Sequence, residues 1–175
     1  DYLFSVDYID GQFHCQLKDE ALENVFAKNA IKEQEVVPRF VTENQTRVKT
    51  PKDVPLSIFR SQMWEEYNSR CIACGRCNYV CPTCTCYTMQ DVFYTDNGKV
   101  GERRRVGASC MVDGYTNVAG GGEYRKNHGD RMRFKTMHKI YDFNKRFGYN
   151  MCVGCGRCDT VCPEYISFSN IINKV

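Results

Sequence analysis

The stretch Cys71–Cys86, CIACGRCNYVCPTCTC, has cysteine at six of its sixteen positions. Its first four cysteines follow the spacing C-x-x-C-x-x-C-x-x-x-C-P, which ends at Pro82. The same spacing returns 81 residues further along the chain. The two copies consist of Cys71, Cys74, Cys77 and Cys81, and of Cys152, Cys155, Cys158 and Cys162. Eight of the twelve cysteines therefore belong to two copies of one motif.

This spacing is typical of the ligands of 4Fe-4S clusters. Three closely spaced cysteines surround one face of a cubane, and the fourth, before the proline, begins a short helix that faces away from it. In proteins with two such clusters, the fourth cysteine ligates the other cluster. We therefore predict two crossed ligand sets. They are Cys71, Cys74, Cys77 and Cys162 for one cluster, and Cys152, Cys155, Cys158 and Cys81 for the other.

Two other uses of the cysteines fit the pattern less well. A small secreted chain with twelve cysteines would suggest a disulfide framework, but these spacings are short and regular, whereas a disulfide gains most by closing a long loop. A zinc site needs four ligands and rarely uses such a run. We therefore expect metal clusters and a reducing compartment.

Four cysteines lie outside the two motifs. Cys84 and Cys86 follow the first motif at once, and Cys110 lies in the insert between the copies. With a histidine or a residue of a partner, these three could form a third metal site. The alternative is packing, since free cysteines are usually small buried apolar residues. We expect packing for Cys15.

Length and composition describe a globular chain of 175 residues with 42% hydrophobic residues, enough for one domain or a small domain with an appendage. No apolar run approaches the roughly 18 residues of a membrane span, and no signal peptide is visible.

The chain starts at Asp1, so we expect a processed or partial chain. Its formal charge of +3 is mild, and two clusters of roughly −2 each would offset it. The net charge and the composition do not favour nucleic-acid binding.

The N-terminal region is predicted to be separate from the cluster domain. Residues 1–17 alternate on both sides of Asp10-Gly11, which predicts a β-hairpin, and a helix is expected from about Asp19. Residues 41–55 have the composition of a linker. We predict that residues 1–50 are the end of an N-terminal domain with a linker, and that residues 51–175 are the cluster domain with a large insert, 82–151.

Each cysteine motif follows a predicted helix. The first helix begins near Leu56, with Asp53 as N-cap and Pro55 in its first turn. The second spans about 130–147 and stops at Gly148. Helices around the clusters, together with hairpins, predict an α+β fold.

The insert carries positive charge. From Arg103 to Arg146 it has eleven lysines and arginines against four acids, which predicts either a docking face or a solvated surface that balances the clusters. A turn is expected at Asn97-Gly98, and the stretch 118–125, VAGGGEYR, also has the composition of a backbone turn. No catalytic constellation is visible, so we assign no catalytic residue.

Three segments together carry a family resemblance. They are RCIACGRCNYVCPTCTCYTMQDVFYTDNGKVGERRRV (70–106), VAGGGEYR (118–125) and RMRFKTMHKIYDFNKRFGYNMCVGCGRCDTVCPEYISFSN (131–170). Over residues 55–175 the chain is similar to the C-terminal dicluster part of the iron–sulfur relay subunit of anaerobic sulfite reductase. Related segments occur in the beta subunits of cytoplasmic sulfhydrogenases.

The resemblance implies a dicluster ferredoxin-like domain of the alpha-helical ferredoxin type, with the N-terminal hairpin as the remnant of a preceding domain. It implies a cytoplasmic, non-catalytic electron-transfer subunit of an anaerobic complex. A flavin subunit that oxidises NADH would supply electrons, and a sirohaem subunit would reduce sulfite. The alternatives are a relay in a sulfhydrogenase or heterodisulfide-reductase-like complex, and a metal-stabilised interaction module.

Overall fold

Contacts within the chain divide it into two units, residues 1–44 and residues 45–175. The computed structural model describes residues 2–40, 42–43 and 46–175. In the first unit, strand β1 (Phe4–Ile9) pairs antiparallel with β2 (Gln12–Leu17). Asp10 and Gly11 join them with φ of 50° and 82°, as a two-residue hairpin turn requires. The predicted hairpin is confirmed, although residue 1 lies outside the described residues.

The helix predicted from Asp19 is shorter than its sequence pattern. It starts as a 3-10 turn, Glu20–Leu22, and continues as α1 (Glu23–Ala27). The Asp19 carboxylate accepts a hydrogen bond from the Ala21 amide at 2.9 Å, and this contact fixes the start. Of the predicted linker 41–55, residues 41, 44 and 45 lie outside the described residues.

The helix predicted from Leu56 is broken into three short pieces, so that prediction was wrong in its continuity. Two 3-10 turns, Leu56–Arg60 and Gln62–Trp64, precede α2 (Glu66–Arg70). Ser61 separates the turns with extended backbone (ψ 139°), and its hydroxyl accepts from the Met63 amide. A serine that caps the following turn in this way competes with a continuous helix. Pro55, not Asp53, occupies the N-cap position.

The insert between the motifs consists mainly of hairpins. After α3 (Arg76–Tyr79), strand β3 (Tyr87–Phe93) pairs antiparallel with β4 (Gly101–Gly107), and the predicted turn at Asn97-Gly98 lies between them. A smaller hairpin joins β5 (Asn117–Val118) to β6 (Gly122–Glu123) through the glycine stretch. The described residues thus combine short helices with two-stranded sheets, which agrees with the predicted α+β class.

One long helical segment crosses the second unit. It begins as α4 (His128–Met137), widens into a π-helical turn (His138–Asp142) and ends as α5 (Phe143–Phe147). Gly148 ends it with φ 79°, as predicted. Two further helices follow, α6 (Arg157–Thr160) and α7 (Phe168–Asn173). Met132, Met137 and Ile140 are buried, so the segment contributes much of the core.

The helix α4 lies unusually close to α2. The Gly129 amide donates to the Asn68 side-chain oxygen at 2.8 Å, and a Cβ on Gly129 would lie 2.2 Å from the carbonyl oxygen of Trp64. The backbones can approach this closely because Gly129 has no side chain. The contact fixes where the long helical segment begins.

The segment just after residue 45 packs on the C-terminal helix. The Lys49 amide donates to the Asn173 side-chain oxygen at 2.7 Å, and the Asn173 amide group donates to the carbonyl of Arg47 at 3.1 Å. Residues 46–49 therefore belong to the second unit. We call them the strap. Among the described residues, no helix has both the length and the apolar character that crossing a bilayer requires.

Candidate metal centre

Two loops with the same backbone path position the motif cysteines. Gly75 (φ 75°, ψ −6°) precedes α3, and Gly156 (φ 70°, ψ −3°) precedes α6. Two residues earlier, Ala73 (φ 54°) and Gly154 (φ 69°) also have left-handed backbone. Residues other than glycine adopt this conformation only at a cost. The 81-residue repeat in sequence is therefore a repeat in backbone conformation.

Both of the matched glycines lie against covering protein atoms. A Cβ on Gly75 would be 2.7 Å from Cγ2 of Val112, and one on Gly156 would be 2.6 Å from Oγ1 of Thr46. The first loop is thus covered by the insert, and the second loop is covered by the strap.

One cavity collects the first predicted ligand set. Its lining includes Cys71, Cys74, Cys77 and Cys162. Cys71, Cys77 and Cys162 are partly buried, whereas Cys74 is exposed. The deeper wall is apolar and consists of Met111, Met132, Ile166 and Phe168. The fourth cysteine of the second motif therefore faces the first motif.

A second cavity collects the other predicted set. Its lining includes Cys152, Cys155, Cys158 and Cys81. Cys155 is the exposed member, at the position that Cys74 takes in the first cavity. Unlike the first cavity, this one is also lined by two buried lysines, Lys135 and Lys139.

The two cavities share a wall and are similar in size. Cys77, Cys158 and Phe168 line both of them, and α3 packs against α6. Their volumes, which include space open to solvent, are about 450 and 390 Å³. Two groups held here would be close neighbours, related by an approximate twofold arrangement of the motifs.

The donors in each cavity fit an iron–sulfur cluster. Four cysteine sulfurs are the usual ligand set of a 4Fe-4S cluster, and such a cluster with its thiolates is anionic. The Nζ atom of Lys135 is buried, with no hydrogen-bond partner among the described residues. An anionic group in the second cavity would compensate this charge. In the described part of the chain, no three His, Cys, Asp or Glu side chains converge tightly enough for a single metal ion.

A comparison with known proteins indicates what the two cavities bind. The family model described as "4Fe-4S dicluster domain" matches residues 70–166, which include all eight motif cysteines. The chain belongs to this family. The dicluster domain binds two 4Fe-4S clusters, as predicted, and the chain is an iron–sulfur electron-transfer protein.

A related chain is found among well-described proteins. The dicluster chain is 38% identical over 117 residues to the sulfhydrogenase 2 subunit beta of Pyrococcus furiosus. The matched region covers 67% of this chain and 34% of that subunit, so this chain spans about a third of the relative's length. No solved structure matches the chain.

The thiols of the dicluster domain differ in how readily they ionise. Burial raises the pKa of Cys71 and of Cys152, and a backbone amide partly offsets the effect in each case. For Cys81, a hydrogen bond from the Cys84 thiol, together with contacts to Thr83 and Lys139, outweighs burial and lowers the pKa to about 3. Iron binds the thiolate form of cysteine, so Cys81 is already in the form of a ligand.

Lys139 lies next to that thiolate. Its Nζ atom is 3.2 Å from the Cys81 sulfur and 3.1 Å from the Thr83 hydroxyl. Burial acts to lower the pKa of Lys139, but the nearby sulfurs of Cys84 and Cys81 raise it on balance. The side chain therefore carries a positive charge at the edge of the second cavity.

The cysteines of the hypothetical third site have separate neighbours. Cys84 donates to Cys81, whereas Cys86 and Cys110 are hydrogen-bonded to each other. The buried amide of Asn78 donates to the Cys110 sulfur at 3.0 Å, with the Cys86 sulfur at 3.9 Å. Cys110 is buried, as the packing alternative expects. The third site stays a hypothesis, and Cys15 is only partly buried.

The repeat gives Cys86 a counterpart. Advancing by 81 residues takes Asn78 to Asp159 and Cys86 to Ser167. In the second copy the Ser167 hydroxyl donates to Asp159 at 2.8 Å. Both copies thus use a side-chain contact between equivalent positions to close the turn that follows the motif.

The positive charges of the insert have three different surroundings. Arg103 pairs with Asp91 across the β3–β4 hairpin, in an exposed contact. Arg131 is buried and holds Glu123 at 3.1 Å, so it fixes the glycine hairpin to α4. Lys135 and Lys139 face the second cavity. A docking face or a solvated surface therefore does not describe all of these residues.

Sequence reasoning missed the buried lysines, Asn78 and the strap. Met132, Lys135, Thr136 and Lys139 have the spacing of one helix face, and all four are buried. Two lysines on such a face are a signal that could have indicated a buried anion. His138 stacks on Phe134 with ring centroids 5.6 Å apart.

Proposed function

We propose that the dicluster chain is the iron–sulfur relay of an anaerobic sulfite reductase. In this proposal a flavin subunit that oxidises NADH supplies electrons, and a sirohaem subunit uses them to reduce sulfite to sulfide. The observation that supports the relay is the shared wall between two cysteine-lined cavities, because clusters held in them would be immediate neighbours. Clusters so close form a continuous path for single electrons.

The crossed ligand sets are part of this proposal. Cys162 lines the first cavity with Cys71, Cys74 and Cys77, and Cys81 lines the second with Cys152, Cys155 and Cys158. Thiolates of this kind persist in a reducing environment, which favours the cytoplasm as location. Clusters held by thiolates need no catalytic side chain, so the partners would carry out the chemistry.

The exposed edges of the two cavities are suited to partner docking. Cys74 and Cys155 are the exposed ligands, and the apolar side chains of Ile72 and Val153 beside them are 55% and 61% exposed. An apolar rim around an exposed ligand excludes water when a partner binds. One edge would face the electron donor, and the other edge would face the acceptor.

A second candidate is the relay subunit of a sulfhydrogenase complex. The similarity to the sulfhydrogenase beta subunit favours it specifically. In that case the electrons would be exchanged with a nickel–iron subunit instead of a sirohaem subunit.

The partners distinguish these candidates. We expect the chain, purified without oxygen from its native cells, to bring with it two subunits, one with flavin and one with sirohaem, and reconstitution of the three to couple NADH oxidation to sulfite reduction. A nickel–iron partner in their place would contradict the sulfite proposal and favour the second candidate. A chain with zinc and without an EPR signal would instead indicate an interaction module.

The crossed ligand sets predict the result of removing one thiol. Cys81→Ala should weaken the cluster of the second motif, because Cys81 lines the second cavity. The measurement is iron content together with EPR spectra of the reduced protein, in which about eight irons are expected before substitution. The control is Cys15→Ala, which removes a thiol in the first unit that lines neither cavity, and this variant should retain both clusters. Loss of the first-motif cluster from Cys81→Ala would disprove the crossed assignment.

A further inference from the structure

The two cavities differ sharply in charge. The first is lined by one positive and one negative side chain, Arg76 and Glu164, and both are exposed. The second is lined by Lys135 and Lys139, which are only 2% and 3% exposed. Exposed opposite charges are screened by solvent and offset each other, whereas buried charges of one sign are screened little. The second cavity therefore has the more positive surroundings.

The two lysines are not used in salt bridges within the described residues. Lys139 contacts the Cys81 sulfur, and the Lys135 ammonium lies over the Phe168 ring, 4.5 Å from its centroid. A buried ammonium without an anion is costly. The cost is offset when an anionic cluster fills the second cavity.

One acidic group also lies at this end of the domain. Asp159 accepts hydrogen bonds from the amides of Phe168 and Ser169, at 2.7 and 3.2 Å, and from the Ser167 hydroxyl. Its Oδ1 atom is 3.6 Å from the Cys158 sulfur. Because Asp159 is stabilised by three donors and opposed by two buried lysines, the balance of charge around the second cavity stays positive.

We propose that Lys135 and Lys139 raise the reduction potential of the cluster in the second cavity above that of the cluster in the first. This inference rests on the proposed electron relay and on its crossed ligand sets. Reduction adds one negative charge to a cluster, and nearby positive charge stabilises the reduced form. A single electron shared by the pair is thus held mainly at the second cavity. The transfer moves one electron from one cluster to the other, with no bond made or broken.

The potential difference gives the relay a direction. Electrons would enter at the exposed edge around Cys74 and leave at the edge around Cys155. The donor subunit would therefore dock beside Ile72, and the acceptor subunit would dock beside Val153.

The test is an EPR-monitored redox titration of the full chain, with chemical mediators and no partner subunit. Cys74→Ser and Cys155→Ser first assign the two cluster signals to the two cavities. Lys139→Met and Lys135→Met then remove one buried charge each with little change in volume. We expect each to shift the distribution of the shared electron at least tenfold toward the first cavity, which is about 59 mV for a one-electron couple.

The matched control is Lys145→Met, which removes an exposed charge from α5. It should leave both potentials unchanged, and all variants should be compared at equal iron content. Lys139→Arg keeps the positive charge, so the second cluster should retain most of its original reduction potential. Equal potentials in the unsubstituted chain, or equal shifts of both clusters, would overturn the proposal.

If Lys139→Met lost iron, Lys135→Met would decide, because the Lys135 ammonium has no hydrogen bond to lose among the described residues. Failure of the relay proposal would appear separately, as a lack of electron uptake from the flavin subunit. If the proposed ligand sets were wrong, Cys74→Ser and Cys155→Ser would both alter the same EPR signal.

Discussion

At the scale of single residues, the glycine before α3 is expected to control the first cluster. Gly75 has φ 75°, and a Cβ there would lie 2.7 Å from Val112 and 3.0 Å from Ser109. Gly75→Ala should cost more than the roughly 1–2 kcal/mol of left-handed backbone alone, because the side chain also collides. The temperature at which the iron–sulfur absorbance is lost should fall, and the first-cavity EPR signal should weaken.

The matched control is Gly98→Ala. Gly98 has a similar φ of 66°, but a Cβ on it meets nothing within 4 Å. Gly98→Ala should therefore lower stability only by the cost of left-handed backbone, and both clusters should be retained. If the two variants behaved alike, the contact with Val112 and Ser109 would have no role in holding the loop.

The spacing of the motif cysteines is a local signal in the sequence, and the structure brings these eight residues to two cavities. The sequence did not predict the buried lysines. Lys135 and Lys139 alternate along the long helical segment with Phe134, Met137 and Ile140, so the apolar pattern predicted burial on one side of this segment only. The other side is buried because it lines the two cysteine-lined cavities, and a cofactor contributes nothing to a hydrophobic pattern.

At the scale of the elements, α4 packs closely against α2 and against the 3-10 turn Gln62–Trp64 that precedes α2. Gly129→Ala would gain helix propensity, but its Cβ would lie 2.2 Å from the Trp64 carbonyl. We expect the collision to dominate, with a loss of about 1–3 kcal/mol, as for other overpacked sites. Chemical denaturation followed by circular dichroism would measure the change.

The control for this substitution is Gly107→Ala at the end of β4, where a Cβ meets nothing within 4 Å. An exposed change of this kind should alter stability by no more than about 0.5 kcal/mol. A Gly129→Ala protein as stable as this control would show that α4 can shift away from α2 at little cost.

The elements were predicted unevenly for physical reasons. The Asp10-Gly11 and Asn97-Gly98 hairpins were recognised because their turn residues are local signals. The helix from Leu56 was not recognised as broken, since its apolar spacing continues through Ser61. The helix is broken by the hydrogen bond of the Ser61 hydroxyl and by a 2.6 Å hydrogen bond from the Trp64 indole to the Ile58 carbonyl. The spacing of apolar residues reveals neither contact.

At the scale of the whole molecule, the strap is expected to be needed for the second cluster. It covers Gly156, and Val48 lines the second cavity. A chain beginning at residue 45 should bind both clusters, whereas one beginning at residue 51 should lose iron from the second cavity. Iron analysis and EPR of the two fragments, prepared side by side, would measure the difference.

The same contact can be tested in the full chain. Asn173→Ala removes the hydrogen bonds to residues 47 and 49 and should increase the rate of iron loss. Asn170→Ala, an exposed change on the same helix, is the control. Equal cluster retention in both fragments would place the domain boundary at residue 50, as the linker-like composition suggested.

The proposed exchange of fourth cysteines would also constrain biogenesis. The wall of the first cavity includes Cys162, so during translation the first motif cannot complete its lining until the ribosome has passed the second motif. Until then three thiols of that motif stay open to oxygen, stray metals and the scaffold proteins that deliver iron. With the proposed ligand sets, insertion of both clusters would be delayed until the second motif is made, and a chain truncated before Cys158 would leave both sites incomplete.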